Sequence, residues 1–160
     1  MPAKPKHVPE GYSTLTPYLI IDGAARADDF YKKAFGASEA MRLDGPAGKI
    51  GHAEIAIAES RIMLADEYPD MEAFGPSHFG GSPVTLHLYV DDADAWVARA
   101  VAAGAILVRP VADQFYGDRL GGVQHPFGYR WWLATRKQNL SVDELRRRSE
   151  AYLKQQQKGG

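Results

Sequence analysis

The chain contains no cysteine, so disulfides, thiolate metal ligands and cysteine nucleophiles are all excluded. That absence fits a reducing compartment, and the expected location is the cytoplasm. Net charge is nearly missing as well: 19 basic residues against 20 acidic ones leave −1. Such a balance gives no electrostatic ground for binding nucleic acid or an anionic membrane surface. No apolar run approaches the roughly 20 residues needed to span a bilayer. Met1 to Glu10 carries Lys4 and Lys6 but lacks the apolar stretch of a secretory signal. Gly80-Gly81 and Gly121-Gly122 lack the spacings of phosphate-cradling or dinucleotide loops, and Ser13, Ser60 and Ser82 stand in no nucleophile elbow.

What the sequence does hold is a repeated pattern. Residues 1–11, with Pro2, Pro5, Pro9 and Gly11, read as a loose arm. Leu15 to Ile21 is an apolar run bounded by Asp22-Gly23, which predicts a strand, and Asp22 is the expected cap of a helix over Ala24 to Phe35. Ala27, Phe30, Tyr31 and Ala34 follow the spacing of one buried helix face. Gly36 stands where a left-handed C-terminal cap is wanted. The same order returns with Val84 to Val90, the candidate cap Asp91, the stripe Ala93, Trp96, Val97, Ala100 and Val101, and then Gly104. Asp22 and Asp91 are 69 residues apart and Gly36 and Gly104 are 68 apart, a near-constant offset that argues for duplication.

Further strands are expected at Glu39 to Leu43, Gly51 to Ala58 and Arg61 to Ala65, and again at Ile106 to Val111, Gly121 to Gln124 and Tyr129 to Thr135. The chain then divides into an arm (1–11), a first βαβββ module (12–67), a Pro/Gly-rich linker (68–83), a second module (84–137) and a C-terminal helix (138–157). Ser141-Val142-Asp143-Glu144 is a capping box for that helix, and Arg146, Arg147 and Arg148 read as its solvated face. The fold class is α+β: two tandem βαβββ modules forming a curved mixed sheet with a ligand cavity, plus a C-terminal helix.

Strand alternation sorts side chains by face. Val84, Leu86, Leu88 and Val90 should pack under helices, leaving Thr85, His87 and Tyr89 opposite. In the first module Ile55, Ile57, Ile62 and Leu64 face the helix, leaving His52, Glu54, Arg61 and Met63 beside Thr16, Tyr18 and Ile20. Trp131 and Leu133 oppose Arg130 and Trp132. Aromatic walls with few polar groups suit a small-molecule cavity. The plainer alternative is the polar outer face of an antiparallel sheet.

Several short motifs, in order, resemble a known family. They are Asp29-Phe30-Tyr31 with Phe35-Gly36, Gly51-His52-Ala53-Glu54, Ile62 through Glu67, Leu86 through Asp92, Phe115-Tyr116-Gly117-Asp118-Arg119, and Pro126-Phe127-Gly128 through Thr135. Over roughly residues 12–150 the chain resembles the vicinal oxygen chelate superfamily of glyoxalases, bleomycin-resistance proteins and extradiol dioxygenases, most closely its PhnB-like branch. The resemblance implies a homodimer with small-molecule pockets walled by two concave sheets. It also implies a divalent metal with one ligand from the first and last strand of each module. The matching positions here are Thr16, Met63, Thr85 and Trp132. Met63 is a poor ligand for hard divalent ions and Trp132 is none, so the standard metal site is missing and no cofactor is expected. His125 stands where relatives typically have Asp, and Tyr129 where they have His.

The catalytic candidates that remain are His52, Glu54 and His87. His52 and Glu54 share a strand face, and a divalent metal at His52, Glu54 and His87 is the alternative cofactor reading, since it gives two His and one carboxylate. A metal-free site would use His87 or Glu54 as base, with Arg119 or Tyr116 holding a developing anion; Glu54 would then need its pKa raised by burial. The plainer readings are a His52–Glu54 hydrogen bond, a pocket-wall role for His87, and a local ion pair between Asp118 and Arg119. Expected ligand-binding residues are Tyr18, Met63, Thr85, Tyr89, Tyr116, Arg119 and Trp132. The expected function is metal-independent sequestering or modification of a small organic molecule, with a glyoxalase-like lyase or isomerase as the alternative enzyme class. A protein that binds a macromolecular partner by its sheet edges or C-terminal helix is the third class.

Overall fold

Apolar residues at every second position mark three central strands, Ile50–Ile57, Ser60–Asp66 and Arg130–Arg136, and apolar stripes at helical spacing build the helices that cover them. A computed structural model describes Met1 and residues 3–159. Its first module runs β1 (Tyr18–Ile21), α1 (Ala24–Phe35), β2 (Ser38–Asp44), β3 (Ile50–Ile57) and β4 (Ser60–Asp66). The second runs β5 (Thr85–Tyr89), α2 (Ala93–Ala102), β6 (Ile106–Asp113), β7 (Asp118–Gln124) and β8 (Arg130–Arg136), and α3 (Val142–Lys158) follows. The strands of the expected mixed sheet are shared between two four-stranded sheets, β1-β4-β3-β2 and β5-β8-β7-β6. In each, the first strand runs parallel to the last and the other pairs are antiparallel. Identical strand orders in the two halves are what a duplicated βαβββ unit requires. Among the described residues no helix is long and apolar enough to cross a membrane.

Pro17 cannot donate to a ladder, so β1 begins after it, not at Leu15; the Pro17 carbonyl instead accepts from the Met63 N–H at 3.0 Å. Gly36 closes α1 in the left-handed conformation, φ 65°. The expected caps need correction. Asp22 does not cap α1; Asp66, at the end of β4, accepts from the Gly23 and Ala24 N–H groups at 3.1 and 3.0 Å, and from Ile50 N–H at 2.6 Å. In the second module Asp92, not Asp91, caps α2 through Ala95 N–H, while Asp91 accepts from the Trp96 indole N–H. Thr135 Oγ1 accepts from Ala93 N–H at 2.8 Å and stands 69 residues after Asp66, in the equivalent role. The linker forms two short 3-10 turns, Pro69–Met71 and Pro76–Phe79.

The helix-side faces of both sheets share one core. Ile55 and Leu64 from the first sheet and Val123, Trp131 and Leu133 from the second are fully buried with Tyr31 and Ala34 of α1 and Ala100 of α2. The Trp131 ring lies 5.3 Å from Tyr31 and 4.9 Å from Phe35, and Phe35 stacks on Trp96 at 6.2 Å. Helix α1 thus packs on both modules at once. Arg99 of α2 donates to the Lys33 carbonyl at 2.6 Å, placing a cation at the negative end of α1. Helix α3 is anchored by Tyr152 stacked on Phe115 at 5.0 Å and by Arg148 donating to the Phe115 carbonyl and Gln138. The outer strands β2 and β6 both carry register shifts against their partners.

Candidate functional site

With the helix-side faces consumed by the core, the chemistry lies on the opposite faces. Across the first sheet, Tyr18, Met63 and Glu54 stand in register on neighbouring strands. Met41 pairs with Glu54 and Leu43 with His52. A hydrogen-bonded chain runs over this face. Glu54 accepts from His52 Nε2 at 3.1 Å and from the Tyr12 hydroxyl. A carboxylate can only accept, so Nε2 carries the proton, and in the neutral ring Nδ1 is left as an acceptor. The Tyr18 hydroxyl, 2.8 Å from Nδ1, is its donor. Tyr18 is 47% exposed.

Electrostatics decide the role of Glu54. The Tyr12 hydroxyl and then His52 hold its carboxyl below the usual range, the opposite of what a neutral-pH base needs. Glu54 favours the ionised form, and both of its oxygens are occupied by hydrogen bonds. Burial, followed by the Glu54 carboxylate, pushes the Tyr12 phenol up to about 12. Burial and then Tyr68 raise the Tyr18 phenol. Tyr12 belongs to the segment before β1, and the Arg61 guanidinium lies 5.7 Å over its ring.

On the second sheet Thr85 pairs with Arg130 and His87 with Trp132, in register on β5 and β8. The His87 ring is 4.9 Å from Tyr89, whose hydroxyl lies 3.4 Å from the largely buried Asp118. Tyr89 is 69% exposed. The Trp132 ring covers Gly122, where a Cβ would come within 1.7 Å of it. Burial raises the Tyr116 phenol, with Arg109 opposing the rise and Asp118 adding to it.

The expected residues are therefore only partly brought together. Tyr18, Met63, His52 and Glu54 form one cluster, and Thr85, His87, Tyr89, Tyr116 and Trp132 another. Arg119 joins neither. It donates to Asp94 at 2.6 and 3.0 Å and to Asp113 at 3.1 Å, on the α2 side of its sheet; it does not pair with Asp118. His87 lines a cleft of about 460 Å³ with Glu59, Ser60, Tyr89, Asp91 and Trp96, between β5 and the β3–β4 turn. A smaller cleft of about 170 Å³ brings Thr16, Arg61 and His87 together.

The residues do not fit a divalent metal. The four matched positions offer two threonine hydroxyls, a thioether and an indole. Among the described residues no three His, Asp or Glu side chains gather as a metal-holding group, so His87 does not complete the His52–Glu54 pair.

Two features escaped sequence reasoning. Tyr12, the first residue of the module 12–67, carried no signal of its own, and only its contact with Glu54 in the folded chain reveals its role. The other is a cleft of about 480 Å³ beside α1, lined by Asp22, Arg26, Asp29, Lys33, His125 and Phe127 among others. There the His125 ring is sandwiched between Phe30 at 3.9 Å and Phe127 at 4.0 Å. Burial, and then Arg26, push its pKa down to about 4.

A family model described as the Glyoxalase/Bleomycin resistance protein/Dioxygenase superfamily matches residues 14–133. The chain is 45% identical over 134 residues to the Mycobacterium tuberculosis protein Rv0887c, covering 82% of this chain and 79% of that one. The X-ray structure of the Arabidopsis thaliana At5g48480 gene product superposes with a TM-score of 0.63 at 32% identity, over 77% of this chain and 98% of that one. The crystal structure of TioX from Micromonospora sp. ML1 gives 0.60 at 27% identity, over 81% and 100%. With these matches joined to the paired βαβββ sheets, the chain belongs to the Glyoxalase/Bleomycin resistance protein/Dioxygenase superfamily.

Proposed function

We propose that this protein binds a small organic molecule on its open sheet faces, without a divalent metal, and that two copies associate as a homodimer to enclose it. The observation that carries this reading is the division of faces. The helix sides of both sheets are spent on one core, yet the outward faces still hold Tyr18, Tyr89, Met63 and Trp132 beside His52, His87 and Glu54. Large aromatic residues left in water, with a few fixed polar groups, are what a ligand or partner surface presents. The cleft beside α1 has comparable volume but suits a ligand less well: its lining mixes Arg26 and Lys33 with Asp22 and Asp29, and Arg26 already lies 5.7 Å over Phe127. Membership in a superfamily that includes bleomycin-resistance proteins supports sequestration of an aromatic or polyfunctional compound.

A thermal-shift screen with small metabolites and aromatic antibiotics, with and without Ni, Zn, Mn and Mg, tests the reading. A compound at 100 times its dissociation constant stabilises by about 2.7 kcal/mol. The expected result is stabilisation that is unchanged by metal and lost in His87→Ala or Trp132→Ala. Stabilisation that appears only with added metal would overturn the metal-independent reading.

A further inference from the structure

The hydrogen-bonded chain on the first sheet has no structural duty that the core requires. It lies on the open face, its members are polar, and it ends at a half-exposed phenol. We propose that Tyr18, His52 and Glu54 form a proton-transfer relay, in which the Tyr18 oxygen takes a proton from a bound small molecule as its own proton passes to His52 Nδ1. The inference rests on the reading that small molecules bind this face.

Three observations carry it. First, the chain has a direction. Glu54 fixes the proton of His52 on Nε2, so the Nδ1 lone pair meets the Tyr18 O–H at 2.8 Å. The logic is that of a nucleophile–His–carboxylate triad with a phenol in the first position. Second, the charge that develops is already answered. When Nδ1 takes the proton, the imidazolium lies against the Glu54 carboxylate at 3.1 Å. Tyr12, bonded to the other carboxylate oxygen, keeps Glu54 aimed along its strand and is a positioning residue. Third, Tyr18 is the member that a ligand can reach, and its in-register neighbour is the apolar Met63, with Leu43 beside His52. That surround favours a partly apolar compound with a C–H made acidic by an adjacent electron-withdrawing group, and Arg61, over the Tyr12 ring, adds a cation beyond Glu54.

The step balances without a co-reactant. The substrate C–H bond breaks and an O–H bond forms on Tyr18, while the Tyr18 O–H breaks and an N–H forms on Nδ1. The electron pair stays on the substrate as an enolate or expels a leaving group. His52 then returns the proton through Tyr18 to a neighbouring substrate atom or to water. Isomerisation and elimination are the reaction classes this allows.

The probe is 5-nitrobenzisoxazole, which on loss of its C3 proton breaks its N–O bond and releases a coloured cyanonitrophenolate. Wild-type protein is expected to accelerate ring opening, and Tyr18→Phe and His52→Asn to lose about 100-fold or more of that rate. Tyr12→Phe should lose less and move the acidic limb of the pH–rate profile, which a merely structural role would not do. Melting curves establish that each variant is folded. Independently, imidazole nitrogen shifts of His52 should show Nε2 protonated and Nδ1 accepting; the reverse tautomer overturns the relay. Ring opening no faster in wild type than in folded Tyr18→Phe also overturns it. If the probe in that case still raises the melting temperature, binding at this face stands without the chemistry.

Discussion

Adjacent tryptophans show how much a single residue's direction decides. Trp131 points into the shared core and is fully buried against Tyr31 and Phe35. Trp132, one position on, turns to the open face and covers Gly122. Replacing Trp131 by Ala is expected to destabilise by about 3–5 kcal/mol, and replacing Trp132 by about 1 kcal/mol. Urea denaturation of both variants checks this, and comparable losses would mean that Trp132 is a packing residue. The alternation that separates the two was legible in the sequence, as was the shared face of His52 and Glu54. Arg119 was not legible. Gly121 and Gly122 have no side chains to mark a face, so the alternation along β7 is blank just where it is needed. A Cβ on Gly121 would meet Val111 and Val97 at 2.6 and 3.0 Å, which assigns that side of β7, Arg119 included, to α2.

At the scale of elements, the helix spans were readable because their signals are local: apolar spacing, and a glycine at the end. The caps were misread because the true partner is distant in sequence. Asp66 is 42 residues from Ala24 and could not be chosen over Asp22 without the sheet that brings it there. Asp66 also binds Ile50 N–H, so it ties the start of α1 and the start of β3 to the end of β4. Asp66→Ala leaves three N–H groups without their acceptor and is expected to cost roughly 3 kcal/mol. Thr135→Val leaves one, and should cost about 1 kcal/mol. Thermal and chemical denaturation of the pair tests whether the duplicated halves carry unequal caps.

At the scale of the whole molecule, the two open faces leave apolar side chains in water at their far strands. Leu43 is 56% exposed and Ile106 61%. The proposed homodimer would cover them. Sedimentation velocity is expected to show a dimer at micromolar concentration, and Leu43→Glu with Ile106→Glu to give a folded monomer. A wild-type protein that sediments as a monomer would remove the paired-face pocket and leave each sheet to act alone.

The register shifts in β2 and β6 bear on how such association stays limited. A smooth, flat outer strand offers its unpaired amides to any passing chain and extends without end. Of the four outer strands, the two longer ones, β2 and β6, are broken in register, which twists their backbone away from a straight ladder. Extension along β2 and along β6 is therefore obstructed by the same irregularity in each half of the molecule, while the short opposite edges, four residues in β1 and five in β5, offer little ladder to extend.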